Sequence, residues 1–220
     1  MRFSAFSREM RTKADYDRLR QITAVCLSLS LSVSICLRLS AQDAALPPAG
    51  FGSLRQDQIG VVLGTDQLQI RVIPLDEQVI RMLAPDSYRS LRDMAASRAA
   101  EILRMAHSRG FDSVATFMVT FFALQPMARF SPDDLNISSQ SSTYRPIGYV
   151  SITPRFSENI IEQRGQAAAI YVFEPGIAVL RPFTVSYGST SSDAWAQSLE
   201  LINTERARVL SRASSSSARP

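Results

Sequence analysis

One histidine, one lysine and one tryptophan among 220 residues leave few chemistries open. With His107 alone, a Ser-His-Asp relay, a two-histidine metal site and a facial triad would all depend on the same imidazole. That histidine falls in the last turn of an expected helix, where a cation or donor is favoured for structural reasons. Both cysteines, Cys26 and Cys36, lie in the apolar amino-terminal segment, so the rest of the chain has neither thiol chemistry nor a disulfide. The only lysine is Lys13, which removes Schiff-base and lysine-base mechanisms beyond residue 41. A glycine-rich phosphate loop is missing too. Gly60-Val61-Val62-Leu63-Gly64 has too few glycines, no lysine after it, and a hairpin where a helix would be needed.

A basic surface is also lacking, despite a net charge of +4. Residues 1–41 hold seven Lys or Arg against three Asp or Glu, and the remaining 17 basic and 17 acidic residues balance. Without a basic run there is no electrostatic footprint for a phosphate backbone, so nucleic acid is not an expected partner.

The excess charge belongs to an amino-terminal pattern. Residues 2–20 are basic, residues 22–37 are apolar with interleaved serines, and Leu39-Ser40-Ala41 precedes Gln42. Positive flank, short apolar run and small residues in that order read as a signal peptide over residues 1–41, which implies a periplasmic or extracellular protein. Two other readings stay open. Leu27-Ser28-Leu29-Ser30-Leu31-Ser32 alternates like a native strand, and an uncleaved segment would tether the chain to a membrane, although about 20 apolar residues are needed to span one. Residues 42–52, with Pro47-Pro48 and two glycines, read as a linker.

The expected domain, residues 53–212, is organised around 167–173, apolar on both faces of a strand: Ala168, Ile170 and Val172 oppose Ala169, Tyr171 and Phe173. Glu174-Pro175-Gly176-Ile177 reads as a type II turn, and Phe183, Val185 and Tyr187 alternate as a second strand, so the pair is expected to form a hairpin. Residues 113–124 are a second strand apolar on both sides, with Phe117, Val119 and Phe121 opposite Met118 and Phe122. Shorter strands are expected at 58–63 and 67–73 around Gly64-Thr65-Asp66, near 135–138, and from Tyr144 to Ile152 after a serine-rich turn. Residues 75–83 read equally as a helical turn or a strand. Residues 154–165 read as a polar connection.

Two helices are expected. With Asp86 as its N-cap, the first runs over 87–109 to a C′ glycine at Gly110, carrying Leu91, Ile102 and Leu103 on one stripe. That stripe should cover the second apolar face of the two-sided strands. A second helix from Asp193 to about Arg212 places Trp195, Leu199, Ile202 and Val209 on one face, and 213–220 reads as a disordered tail. The fold class expected is a mainly β antiparallel sandwich with two helices; the alternative is α+β with helices on one face of an antiparallel sheet.

From Phe117 to Tyr187 the order of features, with Phe130, Asp134-Leu135, Tyr144-Arg145-Pro146 and Ile170-Tyr171-Val172-Phe173, resembles the immunoglobulin-like sandwich domains of bacterial envelope proteins. The resemblance covers about a third of the chain and implies a binding or structural module with no catalytic residues to carry over. The disulfide and core tryptophan of antibody-type domains are missing, and the long helix has no counterpart.

Side chains that could carry chemistry are few. Asp133-Asp134 with Asn136 offer oxygen ligands for calcium, or ordinary turn chemistry. Glu158, Glu162, Glu174 and Asp134 are the carboxylates from which a hydrolase would draw a pair. Asn136-Ile137-Ser138 matches a glycosylation sequon, and Arg145, Arg155 and the tyrosines near the serine turn could line a binding edge. No catalytic, cofactor or metal residue is assigned. The expectation is a non-enzymatic binding or structural module of the cell envelope with a protein or envelope component as partner; a secreted hydrolase and a membrane-tethered envelope protein are the alternatives.

Overall fold

The computed structural model describes residues 46–217. The expected signal peptide and residues 42–45 of the expected linker lie outside them. In chain order the first strands are β1 (Val61–Gly64), β2 (Leu68–Pro74), β3 (Ala115–Ala123), β4 (Ala128–Arg129), β5 (Leu135–Ser139) and β6 (Ser142–Tyr144). They are followed by β7 (Pro146–Ser151), β8 (Ile160–Ile161), β9 (Gln166–Phe173), β10 (Thr184–Tyr187) and β11 (Thr190–Ser192). The helices are α1 (Glu77–Ile80), α2 (Pro85–Ser108) and α3 (Trp195–Ser217). The protein is mainly β, as expected. One five-stranded antiparallel sheet, ordered β1-β2-β3-β9-β7, faces a four-stranded one, β11-β10-β5-β6, while β4 and β8 pair separately.

The core lies between the sheets and follows from strand alternation. From the five-stranded sheet come Ile70, Val72, Phe117, Val119, Phe121, Ala169, Tyr171 and Phe173, all fully buried. The other sheet contributes Leu135, Ile137 and Val185, while its opposite face is polar. Rings interlock across the interface: Phe117 meets Phe183 edge-on at 5.9 Å, and Phe121 stacks on Phe130 at 4.5 Å. Strand β9 is central, between β3 and β7, and its residues 167–173 are buried on both faces.

The expected hairpin does not form. Strand β9 already has a neighbour on each side, and β10 pairs with β5 and β11 instead. Gly176 adopts the expected positive φ of 118°, but the turn delivers the chain across to the other sheet. Burial holds that crossover. Ile177, Val179 and Phe183 enter the core, and the Trp195 indole N–H donates to the Val179 carbonyl at 3.0 Å. The expected strand 144–152 also splits between sheets: Tyr144 pairs with Ile137, whereas Pro146 pairs with Phe173. Proline lacks the N–H that would extend the first ladder, and a register shift between Pro146 and Gly148 bends the strand onward.

Helix α2, the first of the two expected, starts at Pro85, so Ala84 and not the expected Asp86 is its N-cap and Asp86 lies in the first turn. Proline at N1 loses nothing there, because its N–H would have been an orphan. At the other end the Gly110 N–H donates to His107 and the Phe111 N–H to Ala106, a Schellman closure with Gly110 at φ +80°. Helix α2 lies on the outer face of β7 and β9, burying Tyr88, Leu91, Ile102 and Ala106, while Leu103 is exposed, contrary to its expected place. The outer face nearer β2 stays open: Met118, Thr120 and Phe122 are half-buried beside Arg71 and Gln166 in a trough of about 400 Å³.

Other differences have local causes. Residues 75–83 hold helix α1, capped by Asp76, whose carboxylate accepts from the Gln78 N–H at 2.8 Å. The polar connection contains a 3-10 turn, Pro154–Glu158, and strand β8, anchored by fully buried Phe156. In the expected linker, Phe51 packs on the core and Gly52 lies against the Met82 backbone. The last helix buries Trp195, Ile202 and Val209 as expected but starts at Trp195 and continues to Ser217. Ser214 and Ser215 hydroxyls donate back to the Leu210 and Ser211 carbonyls at 2.9 Å, which satisfies the hydroxyls within the helix.

Candidate functional site

Three pockets adjoin along one side of the sandwich. The first, about 670 Å³, lies between the β1–β2 loop and the β10–β11 turn, and Thr65, Asp66, Gln67, Arg129, Gly188 and Ser189 line it. The second, about 430 Å³, shares Gly188 and adds Asp133, Asp134, Asn136, Arg145 and Pro146. The third, about 510 Å³, shares Arg145 and Pro146 and adds Arg109, Thr143, Tyr144 and Glu174. Shared walls make them one groove.

Each wall has a local cause. Thr65 rigidifies the first loop, its hydroxyl oxygen accepting from the Leu68 N–H at 3.0 Å. Gly188 opens the two-residue turn between paired Tyr187 and Thr190 at φ +55°, a conformation suited to glycine. Asp133 and Asp134 close the 3-10 turn Pro132–Asp134. Gln140 and Ser141, both at positive φ, make the tight β5–β6 turn that presents Thr143 and Tyr144. Arg145 stands where the chain changes sheets, and Arg109 is the residue just past α2.

The groove's charged side chains are unpaired. Among the described residues, Arg109, Arg129, Arg145, Asp66, Asp133, Asp134 and Glu174 make no ion pair and no side-chain hydrogen bond. Asn136 donates its amide to the Asp134 carbonyl at 3.2 Å, leaving its buried Oδ1 with no hydrogen-bond partner. Such an acceptor is unusual in a folded protein. In the wall of the first pocket, Tyr187 has its hydroxyl accepting from the Ser131 N–H at 2.8 Å. Burial pushes the Tyr187 hydroxyl above its ordinary pKa, with the Ser131 bond working against it and the Asp134 charge adding to it. Burial first, then neighbouring phenols and the Asp133 and Asp134 charges, raise Tyr171 further.

The structure brings some expected residues together and separates others. Asp133, Asp134 and Asn136 share a pocket, but Arg145 lines it too, and a guanidinium works against a divalent cation there. Among the described residues no three His, Cys, Asp or Glu side chains form a metal-binding group. Asp134 and Glu174 line neighbouring pockets; Glu158 ends a 3-10 turn and Glu162 follows β8, both exposed. His107 is exposed in the last turn of α2, and Arg155 is exposed on the 3-10 turn at 154–158. The sequon asparagine lies inside a strand with its amide already engaged. Sequence reasoning did not find Arg109, Arg129, Asp66 or Gly188; small polar residues in the two loops were the visible signal, and nothing local said that those loops share an end.

Comparison with protein-family models, with curated proteins and with solved structures finds no match. Among the described residues no helix is long and apolar enough to cross a membrane.

Proposed function

We propose that this chain is an exported, non-enzymatic binding module of the bacterial cell envelope, built on an immunoglobulin-like sandwich, that takes its ligand in the groove from Thr65 to Glu174. The observation that carries the reading is the run of three pockets joined at Gly188 and Arg145, with charged groups the protein leaves unpaired. Export rests on the basic, apolar and small-residue order of residues 1–41.

The test uses the full chain expressed in a bacterial host. Recovery from the extracytoplasmic fraction with an amino terminus near Gln42, together with retention on isolated envelopes that Arg145→Glu weakens, is the expected result. Residues before Cys36 retained in a membrane fraction would favour the tether. Recovery in the cytoplasm, or retention unchanged by Arg145→Glu, counts against the reading.

A second reading, a secreted hydrolase, draws on Asp134 and Glu174 in adjoining pockets that share Arg145. It expects catalytic turnover of a bound polymer, lost in Asp134→Asn and in Glu174→Gln.

A further inference from the structure

Resting on the groove as the binding site, we infer that its ligand is an uncharged polysaccharide strand, held by hydrogen bonds to its hydroxyl groups. Charge is the first argument. Arg109, Arg129 and Arg145 alternate along the pockets with Asp66, Asp133, Asp134 and Glu174, so every pocket holds both signs. A polyanion would meet carboxylates in each pocket, a polycation would meet guanidiniums, and like-charge contacts are costly. A sugar hydroxyl has no such conflict, because it donates to a carboxylate and accepts from a guanidinium at once.

Polarity is the second. Protein-binding surfaces concentrate exposed aromatic and apolar side chains at their centre. Here the apolar lining residues Leu68 and Tyr187 are buried, Pro146 and Ile147 are half-buried, and the fully exposed lining is Asp66, Gln67, Arg129, Ser189, Thr143 and the charged groups already named. Tyr144, half-buried at the far end, supplies one ring face for a sugar. Three pockets in series match several consecutive sugar units and not a single one.

Native electrophoresis of the full chain through gels containing soluble β-1,3-glucan, β-1,4-glucan, α-1,6-glucan or polygalacturonate tests this. Retardation by at least one neutral glucan is expected, little changed between about 0.05 and 0.5 M salt, because the ligand carries no charge whose attraction salt could screen. Arg145→Ala and Asn136→Ala should each weaken it about tenfold or more, with Arg155→Ala as a control that leaves it intact. Thermal unfolding of each variant, unchanged, shows that the loss is not misfolding. Retardation by polygalacturonate alone, or retardation abolished by salt, overturns the uncharged ligand while leaving a binding groove. No retardation by any glucan overturns the inference, and envelope retention then judges the groove separately. Neutral retardation that survives both groove substitutions overturns it as well.

Discussion

The Met105 sulfur occupies the space above Gly148, so close that a Cβ on residue 148 would lie 2.2 Å from it. Met105 of helix α2 therefore seats on β7 in the space that the missing side chain of residue 148 leaves. Gly148→Ala should destabilise the protein by about 1–3 kcal/mol through overpacking. Met105 is flexible, so Met105→Ala should recover much of that loss in a double-mutant cycle followed by urea unfolding. Gly52→Ala makes the contrast. Its Cβ would lie 2.3 Å from the Met82 backbone carbon, which cannot swing aside, so no side-chain substitution should rescue it.

Central placement of β9 predicts equal sensitivity on its two faces. Ile170→Ala and Phe173→Ala should each cost about 2–5 kcal/mol in chemical denaturation, since both are fully buried on opposite sides of the strand. Two losses under about 1 kcal/mol would contradict that placement.

The cover formed by α2 can be tested by charge. Leu91→Asp with Ile102→Asp should cause aggregation or binding of a hydrophobic dye, because both side chains are buried against the sheet. Leu103→Asp should do neither, being 46% exposed. A soluble, dye-negative double variant would show that the stripe does not cover the outer face.

Glu205 predicts a pH dependence. Its side chain is buried on α3, accepting from the Ser53 hydroxyl at 2.7 Å and from Arg212 at 2.8 Å, while Arg212 also donates to the Phe51 carbonyl at 2.6 Å. Burial opposes ionisation, but the Ser53 and Arg212 bonds outweigh it and hold the carboxyl below the ordinary glutamate value of 4.5. A depressed carboxylate pKa contributes stability that is fully present above the unfolded value and lost as pH falls through the folded one. Thermal scans below pH 4.5 should show that loss. Glu205→Ala should cost about 1–3 kcal/mol at neutral pH and flatten the acid limb. An unchanged acid limb would remove Glu205 from the explanation.

Periodicity alone determined which stretches are two-sided strands and where the two long helices lie, though not helix α1 or the end of α3. The pattern at 167–173 announces burial on both faces, the recurrence of Leu91 and Ile102 announces a one-sided helix, and Trp195, Ile202 and Val209 announce another. These are local signals, because a strand repeats every two residues and a helix every 3.6 whatever surrounds it. Pairing was not legible. Nothing within 166–187 says that β9 already has both edges occupied and sends β10 to the other sheet, and Arg145-Pro146 looks like the inside of one strand until two ladders compete for it. The groove belongs to that second kind of information. Asp66, Arg109, Arg145 and Gly188 are far apart in the chain and ordinary one by one; they meet because sheet order and the two crossovers bring four connections to one side, and hydrogen bonds between distant backbone segments, not local preference, decide that order.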